Sequence, residues 1–231
     1  MFNEFLWIAF ILVDLSLALL AFRLWGKSGL YTMIVVGTIV CNIQVLVTVE
    51  LFGLVATLGN IVYASIFFST DILSEFYGKK AARKGVWLGF FALISATIAM
   101  QFAIRFKPDI SDTIQPHLAQ IFNLMPRIVV ASLTAYLISQ HHDIWAFHFW
   151  KDKTQGRHLW LRNNASTMVS QLIDTTIFTF LAFWGKYPLE IFWQIFLTTY
   201  LFKWLIAAVD TPFVYLGRWL HRNQMGSGLN I

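Results

Sequence analysis

Stretches of about twenty residues with almost no charge recur along this whole chain, and a bilayer is the solvent in which such stretches are stable. Crossing the hydrocarbon core takes about 20 apolar residues at roughly 1.5 Å of helical rise each. Runs of that kind cover 5–22, 29–49, 54–76, 86–106, 118–140, 160–184 and 191–213. Lipid offers no partner for a backbone amide, so each run is expected to be a helix that closes its own hydrogen bonds. The expected fold is an all-α membrane protein, a bundle of about seven transmembrane helices, with residues 1–231 forming a single polytopic transmembrane domain. Only 13% of the residues are charged and 58% are hydrophobic, with a mean hydropathy of +0.63. A soluble domain carries about a quarter charged residues to wet its surface. The flank before the first run, Met1-Phe2-Asn3-Glu4, holds no basic residue, so that run is expected to be a retained span and not a cleaved leader.

Charge then orients the bundle. With loops alternating across the membrane, one side collects Arg23, Lys27, Lys79, Lys80, Arg83, Lys84, Lys151, Lys153, Arg157, Arg218 and Arg222. The other side holds only Arg105, Lys107 and Lys186. Basic residues stay cytoplasmic, which puts the N-terminus outside and the C-terminus inside. The net charge of +5 is therefore read as loops facing anionic lipid, and nucleic acid is not an expected partner. Trp7, Trp25, Trp87, Trp160, Trp184, Trp193 and Trp219 lie near the predicted span ends, where an indole buries its ring and wets its N–H. Residues 141–159 are expected to form an interfacial amphipathic segment with surface histidines.

Ionisable groups inside the spans carry the functional signal, because each is costly in lipid. They are Asp14, Asp71, Glu75, Arg127, Arg162, Asp174, Lys203 and Asp210. Asp71, Ser74, Glu75 and Gly78 share one face of the third span, at spacings i, i+3, i+4 and i+7. Asn163, Thr167, Ser170, Gln171 and Asp174 make a second polar face on the sixth. Lys203 and Asp210 share a face of the seventh, and Gln44 and Asn42 mark the second. Asp174 and Lys203 lie near mid-span, whereas Glu75, Arg162 and Asp210 lie nearer the cytoplasmic end. A midplane substrate site around Gln171, Asp174 and Lys203 is expected, with a cytoplasmic ionic gate of Asp71, Glu75, Arg162 and Asp210. Structural salt bridges and helix–helix hydrogen bonds are the competing account, preferred for the isolated Asp14.

No HExxH, GxSxG, Gly-rich phosphate loop or CxxC occurs, so neither an enzyme, a metal site nor a bound cofactor is expected. The single Cys41 cannot form an internal disulfide. Any energy coupling comes from a gradient or a partner chain. The expected partners are a small-molecule substrate and the lipid bilayer, and a homo-oligomer is compatible with the sequence. A non-transporting membrane scaffold or assembly factor is the alternative from another class.

Three motifs resemble the queuosine precursor transporter family, also called the vitamin uptake transporter family. The first runs from Leu51-Phe52-Gly53 through Thr57-Leu58-Gly59-Asn60 to Thr70-Asp71-Ile72-Leu73-Ser74-Glu75-Phe76-Tyr77-Gly78-Lys79-Lys80-Ala81-Ala82-Arg83. The second runs from Arg127 through Ala131-Ser132-Leu133-Thr134-Ala135-Tyr136-Leu137-Ile138-Ser139-Gln140. The third is Leu159-Trp160-Leu161-Arg162-Asn163-Asn164-Ala165-Ser166-Thr167 followed by Ser170-Gln171-Leu172-Ile173-Asp174-Thr175. Together they cover residues 33–215 in consistent order. The resemblance implies a bacterial inner-membrane importer of 7-deazaguanine bases (preQ1, preQ0 or queuine) destined for tRNA modification. It also implies a membrane fold similar to the substrate-binding components of energy-coupling-factor transporters. For that ligand, Asp71, Glu75 and Asp174 would supply acids, Asn163, Asn164 and Gln171 amides, and Tyr63, Phe67 and Phe178 stacking rings.

Overall fold

The computed structural model describes residues 2–153 and 159–226, and their side chains except at 140, 143–144, 146–148, 150–153, 159–167, 207–212, 214 and 218–226. Helix dominates. The elements are α1 (Phe2–Gln44), β1 (Thr48–Leu51), β2 (Leu54–Thr57), α2 (Gly59–Tyr77), α3 (Lys79–Ala103), α4 (Gln115–Phe122), α5 (Met125–Lys153), α6 (Leu159–Phe183) and α7 (Leu189–Gly226). Among the described residues, four helical stretches are long and apolar enough to cross a membrane: Phe2–Gln44, Lys79–Ala103, Gln115–Ser139 and Leu189–Ile206. The shorter apolar Met168–Phe183 adds a fifth hydrophobic stretch. The chain divides into two compact units, Met1–Met125 with Leu201–Ile231, and Pro126–Tyr200.

In the first unit, α1 is two arms joined at Gly26, whose φ of 54° and ψ of −129° no other residue type adopts readily. The arms stay close beyond the bend. A Cβ on Gly29 would clash with the Ala21 carbonyl oxygen, so that position requires glycine. The first arm buries Trp7, Ile11, Leu15, Ala18 and Phe22 along one stripe, against Ile61, Ala64, Phe68 and Ile72 of α2. The second arm brings Gly37 against Val62 and Ile66 of α2, and Ile34 and Thr38 against Gly85 and Gly89 of α3. Helix α2 is thus the centre of this unit, and Gly217 of α7 also meets its Ile72 and Phe68.

Several expected span edges move. The runs 29–49 and 54–76 were expected to be helical to their ends, yet α1 stops at Gln44 and α2 begins at Gly59. Between them lies an antiparallel hairpin with Thr48 opposite Thr57 and Leu51 opposite Leu54. β-Branched Thr48, Val49, Val55 and Thr57 favour extended backbone, and Phe52-Gly53 makes the two-residue turn. The cluster Lys79–Lys84, expected to be a loop, forms the opening turns of α3 directly after Gly78. The segment expected to be interfacial at 141–153 continues α5 without a break, so His141 and His142 are helical. Helix α7 runs on past residue 213 to Gly226.

Candidate functional site

In the first unit the polar face of α2 follows the spacing read from the sequence. Tyr63, Phe67, Asp71 and Glu75 succeed one another turn by turn. Asp71, Ser74 and Glu75 are exposed, and Asp71 has no hydrogen bond among the described residues. Tyr63 and Phe67 stack obliquely, with ring centroids 5.6 Å apart. Lys203 of α7 is only 6% exposed, and its Nζ sits 5.7 Å from the centroid of the Tyr63 ring. A desolvated ammonium over a phenol face gains a cation–π attraction that sequence spacing cannot reveal. Gln44, the last residue of α1, has a buried Oε1 without a partner among the described residues.

Asp14 stands apart from that face. Its Oδ2 accepts the amide of Ser65 in α2 at 3.1 Å, which ties the first arm of α1 to the central helix. This is the helix–helix hydrogen bond expected of an isolated intramembrane acid.

The second unit sets α6 beside α5. Ser139 of α5 donates to Asp174 Oδ1 at 3.4 Å, and His142 Nδ1 lies 3.0 Å from Ser170 Oγ. Neither α5 partner was expected from sequence, which placed the histidines at the surface. The available signal was that Ser139 and His142 are three apart on one helix face. Phe178 meets Phe183 edge-on at 5.7 Å. Arg127 donates through Nε to the Leu181 carbonyl at 2.6 Å and through Nη2 to that of Trp184 at 2.7 Å. Carbonyls at a helix C-terminus lack intrahelical donors and carry partial negative charge, so the guanidinium both pairs and neutralises the end of α6.

Along the same helix Gln171 Oε1, Thr175 Oγ1 and Thr179 Oγ1 are buried without partners among the described residues. Leaving such a group unpaired costs about 1–3 kcal/mol. Arg162, Asn163, Asn164 and Asp210 belong to α6 and α7, but their side chains lie outside the described residues, and so does the expected pairing of Arg162 with Asp71 or Glu75. Gln171 and Asp174 belong to the second unit and Lys203 to the first. No group of three or more His, Cys, Asp and Glu side chains among the described residues is placed to hold a metal ion. Away from the spans, the Ser111 hydroxyl and amide bond to Asp109 and hold its carboxyl below the usual carboxylate range.

The family model described as "Putative vitamin uptake transporter" matches residues 57–217. A Bacillus subtilis protein named "Probable queuosine precursor transporter" is 44% identical over 219 residues, 94% of this chain and 96% of that protein. The "Queuosine precursor transporter" of Escherichia coli is 30% identical over 172 residues, 73% of this chain and 75% of its own length. A Haemophilus influenzae relative named "Probable queuosine precursor transporter" is 27% identical over 68% of this chain and 66% of its own. No solved structure matches. A family pattern spanning both polar faces, carried on repeated membrane-length helices and joined to a nearly end-to-end relative, makes the chain a multi-pass membrane protein that belongs to the vitamin uptake transporter family.

Proposed function

We propose that this chain imports queuosine precursors, 7-deazaguanine bases such as preQ1, preQ0 or queuine, across a bacterial inner membrane for tRNA modification. The observation that carries the reading is the 44% identity to the Bacillus subtilis relative, which extends over 94% of this chain. A match of that extent takes in the polar faces of α2 and α6 along with the apolar pattern that any membrane helix would share.

The chemistry supports the same ligand class. A deazaguanine offers adjacent N–H donors that a carboxylate such as Asp174 binds bidentately, and a carbonyl suited to Gln171. Its flat ring stacks on an aromatic such as Phe178. The aminomethyl cation of preQ1 calls for a second acid. We assign Arg127 the structural task of holding the end of α6.

The two arms of α1, then α2, α3, α4 with α5, α6 and α7 would make seven spans in one transmembrane domain, similar to an energy-coupling-factor substrate-binding component. The chain has no nucleotide-binding motif, so any energy for transport would come from a gradient or from a partner chain. The test is accumulation of radiolabelled preQ1 by cells that neither make precursors nor carry the gene. Plasmid expression of this chain should restore accumulation. Equal counts with and without it would return the protein to the scaffold reading.

A further inference from the structure

Among the described residues, several helical threonines satisfy their hydroxyls within their own helix. Thr32, Thr38, Thr176 and Thr198 each donate their hydroxyl to the carbonyl four residues back, at 3.0, 2.7, 2.7 and 2.8 Å. That is the usual way a threonine satisfies itself in an apolar helix. Thr175 and Thr179 do not. Both are 0% exposed, and both hydroxyls lack a partner among the described residues. Gln171, one turn earlier, has an equally unpartnered buried Oε1. The three positions recur every four residues, so they share one face of α6 over about 12 Å. Thr97 of α3 also lacks a partner among the described residues, but it stands alone on its helix.

We propose that Thr175 and Thr179, with Gln171, form a ladder of hydrogen-bonding groups that passes the polar edge of a planar heterocyclic base along α6 to Asp174. The inference rests on the transport reading above. A threonine used as glue between helices would have a protein partner, and a threonine used only as bulk would back-bond as Thr176 does. Hydroxyls suit a translocation path. Each is both donor and acceptor and rotates freely, so one group serves an N–H or a carbonyl of a passing base. Each is also neutral, hence strong enough to hold the ligand briefly and weak enough to release it to the next rung. In the proposed orientation the C-terminal end of α6 faces outside, so Thr179 meets the incoming base first.

Valine matches threonine in shape and removes only the hydroxyl. Deleting an unpartnered buried hydroxyl leaves folding neutral or improved, so lost uptake would not reflect lost protein. Uptake of radiolabelled preQ1, normalised to membrane abundance and resolved into KM and maximal rate, is measured for Thr175→Val, Thr179→Val, the double variant and Thr176→Val. Each ladder variant should lose about twofold to tenfold in the rate at limiting substrate, the value of one neutral hydrogen bond. The double variant should lose more than either single, and Thr176→Val nothing. Serine at 175 and 179 keeps the hydroxyls and should restore uptake. Wild-type transport with an unchanged double valine variant overturns the ladder alone, as does a serine variant no better than valine. A wild type that imports no base overturns the transport reading and the ladder with it.

Discussion

A carboxylate deep in a membrane-spanning helix is stable only when something nearby favours its charge or takes its proton. Around Asp174 the described side chains supply the Ser139 hydroxyl at 3.4 Å, with the Ser170–His142 pair one turn away. Asp174→Asn keeps shape and polarity and removes the charge. It should lower uptake roughly tenfold to a hundredfold, the loss of one charge-assisted contact worth about 1.5–3 kcal/mol, while membrane insertion is unchanged. Near-normal uptake of preQ1 by that variant would make Asp174 a structural residue. Arg127 shows why sequence alone could not sort these groups. It too is an ionisable residue inside an apolar run, yet its fork is occupied by the Leu181 and Trp184 carbonyls. Spacing ranks the two residues together, and only their partners separate them.

Between residue and bundle, the least anticipated element is the hairpin of β1 and β2. Its turn holds Phe52 at φ 54° and Gly53 at φ 77°, left-handed at both positions, the pairing that fits a two-residue connection to the twist of its strands. A phenylalanine rarely adopts such a backbone, and here neighbours hold it. Glu4 accepts the Phe52 amide at 3.0 Å, Asn3 donates to the Glu50 carbonyl at 3.1 Å, and the Phe52 ring meets Trp7 and Phe202 edge-on. A Cβ on Gly53 would meet nothing within 4 Å, so Gly53→Ala tests backbone strain alone. It should destabilise the detergent-solubilised protein by about 1–2 kcal/mol, and Gly53→Asn by less, since asparagine tolerates this region. Equal thermal unfolding of all three proteins would mean the turn is not left-handed in solution. The same element explains which span edges could be read from sequence. Apolar runs ended by Gly-Lys, as at Gly26-Lys27 and Gly78-Lys79, announced their bends. Val45–Thr57 did not, because a short β-branched apolar run satisfies the hydropathy of a helix end and of a buried strand equally.

For the molecule as a whole, orientation depends on where positive charge lies relative to the helices. In the first unit the structure places Lys27 just past the α1 bend, with Nζ 5.8 Å from the Tyr31 ring and 5.5 Å from that of Tyr77. Lys84, in the second turn of α3, lies 6.0 Å from the same Tyr31 ring. The bend of α1 and the α2–α3 junction at Gly78 therefore present their basic residues at one end of this unit, as the positive-inside assignment requires of two loops on the same side. The opening of α3 strengthens the case. A helix N-terminus carries partial positive charge, so Lys79, Lys80, Arg83 and Lys84 are poorly placed for helix stability and well placed against an anionic leaflet. If that end is cytoplasmic, seven spans carry the C-terminus to the cytoplasm as well. A periplasm-active phosphatase fused after the last residue should then be silent, and a cytoplasm-active fluorescent reporter at the same site bright. Moving the phosphatase into the 104–114 connection between α3 and α4 should switch it on. An active C-terminal phosphatase would mean that the helices cross an even number of times, and the paired arms of α1 would be the first spans to reassign.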